Sequence, residues 1–128
     1  MNLTKLSKEI NKNVRNKGFW NNMDFAIQMT QNQVRVIGLD KHVKDAFISQ
    51  KLALVHTEIS EAMEATRIDG YENNGYGINI KDSFADELAD SIIRILDICG
   101  ELNIDIQEQI DWKLDKNKSR EYMHGKNS

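Results

Sequence analysis

Apolar side chains at helical spacing run from residue 43 to residue 68, and no proline stands anywhere in the chain. Phe47, Ile48, Leu52, Leu54, Val55, Ile59, Ala62, Ala65 and Ile68 trace a broad apolar arc. Such an arc must be buried against another element, and a proline-free chain offers helices to do it. Leu3, Leu6, Ile10 and Val14 predict a helix over 3–16, capped by Asn2 or Thr4 and ended by Gly18. Phe84, Leu88, Ile92, Ile95, Leu96 and Cys99 form one stripe over 83–99, with Ser83 as N-cap and Gly100 as an end or a break. Ile106, Ile110 and Leu114 predict a last helix over 104–118. Residues 23–42 fit two patterns: Met23, Phe25, Ile27 and Met29 alternate, while Ile27, Val34 and Ile37 suit a helix. A loop plus a short helix is expected there. Residues 69–81, rich in glycine and asparagine, read as a loop, and 119–128 as a polar, irregular tail. The expectation is one all-α domain over 1–128, an antiparallel bundle of four main helices.

The formal net charge of −3 argues against a protein whose main task is gripping nucleic acid, since phosphate backbones call for a basic surface. No segment approaches the roughly 20 apolar residues that cross a bilayer. The first residues lack the apolar core of a signal peptide, so the cytoplasm is the expected compartment. Cys99, the sole cysteine, sits among Ile95, Leu96 and Ile98 and is expected to be a buried hydrophobe. Disulfide frameworks and thiolate zinc sites are excluded.

The acidic residues carry the chemistry. Twenty of them would give roughly three i,i+3 pairs by chance, and the sequence holds six: 58/61, 61/64, 69/72, 87/90, 105/108 and 108/111. Most are expected on solvated faces, where like charges one turn apart cost only about 0.2–0.5 kcal/mol. Glu58 differs. At about 100° per residue it falls among Val55, Ile59, Ala62 and Ala65, inside the apolar arc. Glu61 lies at the arc's edge beside Leu54, and Glu64 points away. A lone ionised carboxylate in that position costs several kcal/mol. Either an arginine or lysine compensates it, or a divalent cation does. Glu87 flanks the stripe of the 83–99 helix, with Asp90 further round. Two antiparallel helices would gather Glu58, Glu61, Glu87 and Asp90 into an oxygen-rich site, suited to Mg²⁺ or Mn²⁺ rather than zinc or copper. The one Glu-x-x-His string, Glu121 to His124, falls in the polar tail and makes a di-iron site a poor fit.

Glu58-x-x-Glu61, about 25 intervening residues, then Glu87-x-x-Asp90, closely resembles the MazG-like all-α nucleoside triphosphate pyrophosphohydrolases. Their pattern is E-E-x-x-E followed after a loop by E-x-x-D. The strings KGFW at 17–20, KLALVHTEISEAMEATR at 51–67, FADELADSIIRILDI at 84–98 and KLDKNKSREYMHGK at 113–126 also resemble that family. Residues 21–44 match least and look like an insertion. Thr57 stands where the family has the first acid.

The resemblance implies Mg²⁺-dependent cleavage of a (deoxy)nucleoside triphosphate to the monophosphate and pyrophosphate, a house-cleaning activity on the nucleotide pool. Glu58, Glu61, Glu87 and Asp90 would hold the metal. Glu58, Glu61 and Lys113 are the expected catalytic residues. Lys113, Asn117 and Arg120 match the family's K-x-x-x-N-x-x-R ending and would bind phosphate; Lys116, Lys118 and Lys126 are weaker candidates. Trp20 is the candidate base-stacking residue, with Lys17, Asn13 and Asn21 as hydrogen-bonding neighbours; the alternative is that Phe19 and Trp20 cap the bundle. His56 is expected on the surface. Wide apolar arcs on a short chain point to a homodimer or homotetramer. Two alternatives stay open: a related dUTP-type or phosphoribosyl-ATP pyrophosphohydrolase, and a non-catalytic helical protein that binds a nucleotide or a partner chain.

Overall fold

The computed structural model describes residues 1–32, 38–69 and 74–120. Among them are six helical segments and no strand: α1 (Leu3–Asn16), α2 (Asn21–Asn32), α3 (Leu39–Asp69), α4 (Asn74–Gly77), α5 (Phe84–Glu101) and α6 (Ile106–Lys118). The described residues are all-α, as the periodicity predicts. Val34, Ile37, residues 70–73 of the expected loop, and the expected tail with Glu121, His124 and Lys126 lie outside the described residues.

Local chemistry sets the helix ends. The Asn2 side chain accepts from the Lys5 amide and starts α1. Ser83 caps α5 by accepting from the Asp86 amide. Asp105 caps α6 by accepting from the Glu108 amide. Each satisfies an amide left without an intrahelical partner. The expected loop before α5 contains the short α4 and then a tight turn. There Gly77 takes φ +82° while its carbonyl accepts from the Ser83 hydroxyl, and a Cβ on Gly77 would sit 2.3 Å from that of Ser83. Where a loop plus a short helix was expected over 23–42, α2 begins earlier, at Asn21, and α3 reaches back to Leu39.

α5 is the central helix. α1 and α3 both pack along it, α2 packs on α3, and α6 meets α1. Both neighbours run antiparallel to α5. Ser7 lies against Gly100 while Asn11 meets Asp97; Glu58 meets Arg94 while Glu61 approaches Glu87. Gly100 continues α5 rather than ending it. Its role is close approach: a Cβ there would lie 2.3 Å from the Ser7 carbonyl oxygen. Thr4 ties the ends of α1 and α6 together, donating to Asp105 Oδ1 at 2.6 Å and accepting from the Gln107 amide at 3.0 Å.

Among the described residues the buried apolar set is small: Trp20, Met23, Val55, Ala62, Ala65, Leu96, Ile98 and Cys99. Cys99 is buried as expected, and burial pushes its thiol up. The predicted apolar stripe of α5 is only partly inside. Leu88, Ile92 and Ile95 are exposed, as are Leu52, Ile59, Met63 and Ile68 of α3. The reason is the facing chemistry of α5. Glu87, Ser91 and Asp97 are buried on the side that meets α1 and α3, so Leu88, Ile92 and Ile95 turn outward while Leu96 and Cys99 of the same stripe stay inside.

Candidate functional site

On α5, Glu87, Asp90, Arg94, Asp97 and Glu101 recur at alternating steps of three and four, which places them along one face of the helix. That face meets α3 and α1. Near the start of α5 it meets Glu58 and Glu61, and one carboxylate oxygen from each of Glu58, Glu61 and Glu87 lies within 4.8 Å of the other two. Glu58 and Glu87 are buried; Glu61 is exposed at the rim. Arg94 Nε donates to Glu58 Oε1 at 2.8 Å. The arginine compensation expected as one outcome for Glu58 is thus present. It serves one of the three acids. Glu87 is 3 % exposed, and its Oε2 has no hydrogen-bond partner.

The protonation states follow from these contacts. Burial works to raise the Glu58 carboxyl, but the hydrogen bond from Arg94, with those shared with Glu87 and Glu61, outweighs it and holds the group below its ordinary value. Glu87 moves the other way, to about 7, chiefly because burial penalises its charged form, then because its proton is shared with Glu58 and Glu61, whose negative charge also opposes its ionisation. Asp90 is raised by burial and by the negative charges of Glu58 and Asp86.

A second acidic group, Asp82, Asp86 and Glu87, also converges within 4.8 Å. Its geometry has a local explanation. The Asp86 carboxylate accepts from the Asp82 amide at 2.8 Å beside the Ser83 cap, where negative charge suits a helix N-terminus.

Next to the first cluster lies a cavity of about 380 Å³, lined by Val14, Phe19, Lys51, Leu54, Glu58, Asp90, Ile93, Arg94 and Asp97. Apolar side chains from three helices, two cations and three carboxylates share its wall. Asp90 belongs to this wall, beside the three converging glutamates. Asp97, buried at the back, accepts from Asn11 Nδ2 at 3.0 Å and from Trp20 Nε1 at 3.2 Å. Lys51 Nζ donates to the Phe19 carbonyl at 2.9 Å and sits 4.6 Å from the Trp20 ring centroid.

Trp20, the candidate stacking residue, is 1 % exposed and packs beneath Lys51, so it presents no open face to a base in this arrangement. Phe19 is the aromatic residue that lines the cavity and is exposed. Lys17, Asn13 and Asn21 are exposed. Lys113 and Asn117 are exposed and Arg120 is half-buried on or just past α6, and no ion pair, hydrogen bond or cavity wall joins them to the acids among the described residues. Thr57 is exposed, and its hydroxyl donates back to the Ala53 carbonyl rather than toward the cluster. His56 is exposed, and Glu64 pairs with Arg67 on the surface.

Arg94, Lys51 and Asp97 were not singled out from the sequence. For Arg94 and Asp97 the signal is the alternating three-and-four spacing of charged residues on α5, which marks a polar face as surely as leucines mark an apolar one; Lys51, on α3, carries no such signal. No helix among the described residues is long and apolar enough to cross a membrane. Comparison with protein-family models, with curated proteins and with solved structures gave no match for this chain.

Proposed function

We propose that this protein hydrolyses nucleoside triphosphates to the monophosphate and pyrophosphate, in the manner of the MazG-like enzymes its acidic motifs resemble. In this reading Glu58, Glu61 and Glu87 hold Mg²⁺, or Mn²⁺ in its place, with Asp90 alongside. The observation that carries it is Glu87 Oε2: a buried carboxyl oxygen, close to two further glutamates, with no hydrogen-bond partner. Buried polar atoms are rarely left so, and an all-oxygen set suits a hard cation.

A cation held there supplies charge neutralisation and Lewis acidity to a polyphosphate. The chain's own groups do the rest. Glu61, at the rim, meets the ligand from solvent. Glu87 gives up its proton when a cation takes its place. The walls formed by Val14, Leu54 and Ile93 exclude water beside the charged end, and Phe19 offers an aromatic face to the remainder of the nucleotide. The open apolar faces of α3 and α5 support assembly with a second copy, as a dimer or a dimer of dimers. The cytoplasm remains the proposed compartment.

Pyrophosphate release from a panel of common and noncanonical (d)NTPs with Mg²⁺ tests the proposal. Glu61→Gln should lower turnover by about 100-fold or more, beyond the 10–100-fold typical of groups behind the metal ligands, with the helical circular dichroism spectrum unchanged. Equal rates in both proteins would remove Glu61 from the mechanism. The Arg94–Glu58 ion pair favours a second reading, a non-catalytic helical protein in which the acids are structural. Nucleotide binding without turnover across the whole panel would select it.

A further inference from the structure

We propose that Arg94 is an exchangeable counter-ion: it holds Glu58 while the site lacks a cation, yields Glu58 to the cation, and then pairs with the anionic part of the ligand in the adjoining cavity. This rests on the reading of Glu58, Glu61 and Glu87 as cation ligands.

Three observations point to it. First, the Arg94 contact is monodentate. Nε alone reaches Glu58 Oε1, and the two terminal nitrogens make no hydrogen bond to any described residue. A guanidinium built only to neutralise a carboxylate would gain more from the two-point fork. Second, Arg94 stands between the two compartments. It touches the acidic cluster through Nε and lines the cavity beside Lys51. Third, its side chain is 41 % exposed whereas that of Glu58 is 11 % exposed. Arg94 can therefore leave the pair and remain hydrated, while Glu58 left behind is a buried anion that must take another cation.

The consequence is coupling. Before a cation binds, Arg94 competes for Glu58 and weakens cation affinity. Afterwards its positive charge faces the cavity, where the acids no longer cancel it. A cation and an anionic ligand therefore strengthen each other's binding through one side chain, by equal factors in both directions.

The test measures binding rather than turnover. Calorimetric titration with Mn²⁺ alone, and with inorganic pyrophosphate at saturating Mn²⁺, is run on wild type, Arg94→Met and Arg94→Lys. The expected result is a change of opposite sign in the two titrations. Arg94→Met should bind Mn²⁺ several-fold more tightly, because the competitor is gone, and pyrophosphate about tenfold more weakly, the loss of roughly one charged hydrogen bond. Arg94→Lys, which keeps the charge and loses the fork, should hold Mn²⁺ within about twofold of wild type and bind pyrophosphate with intermediate affinity. A merely structural arginine would weaken both titrations together in Arg94→Met; that result, or unchanged pyrophosphate affinity, overturns the proposal and leaves the cation site standing. Should Arg94→Met fail to fold, wild-type pyrophosphate affinity in Arg94→Lys overturns it equally. No Mn²⁺ binding by wild type removes the cation site and this role together.

Discussion

Glu58 and Glu87 bring carboxylate oxygens within 4.8 Å of each other across the α3–α5 seam, and only Glu58 has a cation beside it. Two full charges that close repel by roughly 3–4 kcal/mol at an effective dielectric of about 20. The pair meets this cost asymmetrically. Arg94 fixes the charge on Glu58, and the proton stays on Glu87. A site with one committed anion and one carboxyl near its titration point accepts a divalent cation at little cost in proton release near neutral pH.

This asymmetry has a pH signature. The Glu87 pKa is raised from 4.5 to about 7 on folding. A raised pKa means that the folded chain holds the proton longer than the unfolded one. Its stabilising contribution is therefore complete below about 4.5 and lost as pH rises through about 7. Thermal melts in chelator from about pH 5 to about pH 8 should show wild type losing stability that Glu87→Gln keeps, since the amide resembles the protonated acid. Mn²⁺ affinity of wild type should climb over the same interval and level off above it. Parallel melting curves for the two proteins would mean that Glu87 is already ionised.

Gly100 makes a sharper structural claim. Gly100→Ala adds a Cβ that would meet the Ser7 carbonyl oxygen at 2.3 Å and Asn11 Cβ at 2.7 Å. Alanine favours a helix by about 1 kcal/mol over glycine. Forcing α1 off α5 should cost more, giving net destabilisation of about 1–3 kcal/mol. Chemical denaturation measures it, and a stabilised Gly100→Ala would mean that the two helices do not meet there.

The helices were legible because periodicity and caps are local: Asn2 and Ser83 each act within three residues of themselves, as does Asp105, a cap not named from the sequence. Glu58 was legible as an inward acid because its neighbours on the same helix are apolar. What could not be read was the partner face. The stripe of Leu88, Ile92, Ile95, Leu96 and Cys99 predicts one buried face, yet only Leu96 and Cys99 are inside, Leu88, Ile92 and Ile95 are open, and the charged face of α5 is covered instead. Helical periodicity reports that two faces differ, not which one the chain covers with its own helices. Trp20 shows the same limit. An aromatic beside polar residues reads as a ligand platform, and the spacing does not reveal that Asp97, far away in sequence, accepts a hydrogen bond from its indole N–H.

Trp20 and Phe19 can be separated by substitution. Trp20→Phe keeps the ring and removes the N–H that Asp97 accepts, so it should cost about 1–3 kcal/mol of stability while leaving KM for the preferred nucleotide within about twofold. Phe19→Ala should do the reverse, changing stability by no more than about 0.5 kcal/mol and raising KM, because Phe19 is exposed and lines the cavity. A KM increase confined to Trp20→Phe would return the stacking role to Trp20.

The outward stripe of α5 predicts the assembly. Leu88, Ile92 and Ile95 stand at i, i+4 and i+7, and Ile92 is 57 % exposed. With Leu52, Ile59 and Met63 exposed on α3, this is more apolar side chain than scattered surface residues account for. A stripe of this spacing can pack against its own copy across a two-fold axis, with each isoleucine seated between side chains of the facing helix. Light scattering on the eluting protein should give a mass of two chains or four. Ile92→Glu should reduce it to one chain, because an unpaired carboxylate in the seam costs several kcal/mol. The acids Glu58, Glu61 and Glu87 converge within a single chain, so Mn²⁺ binding should survive in that variant. A wild type that elutes as one chain would leave the stripe without a partner copy, and loss of Mn²⁺ binding on separation would mean that the neighbour helps to build the acidic site.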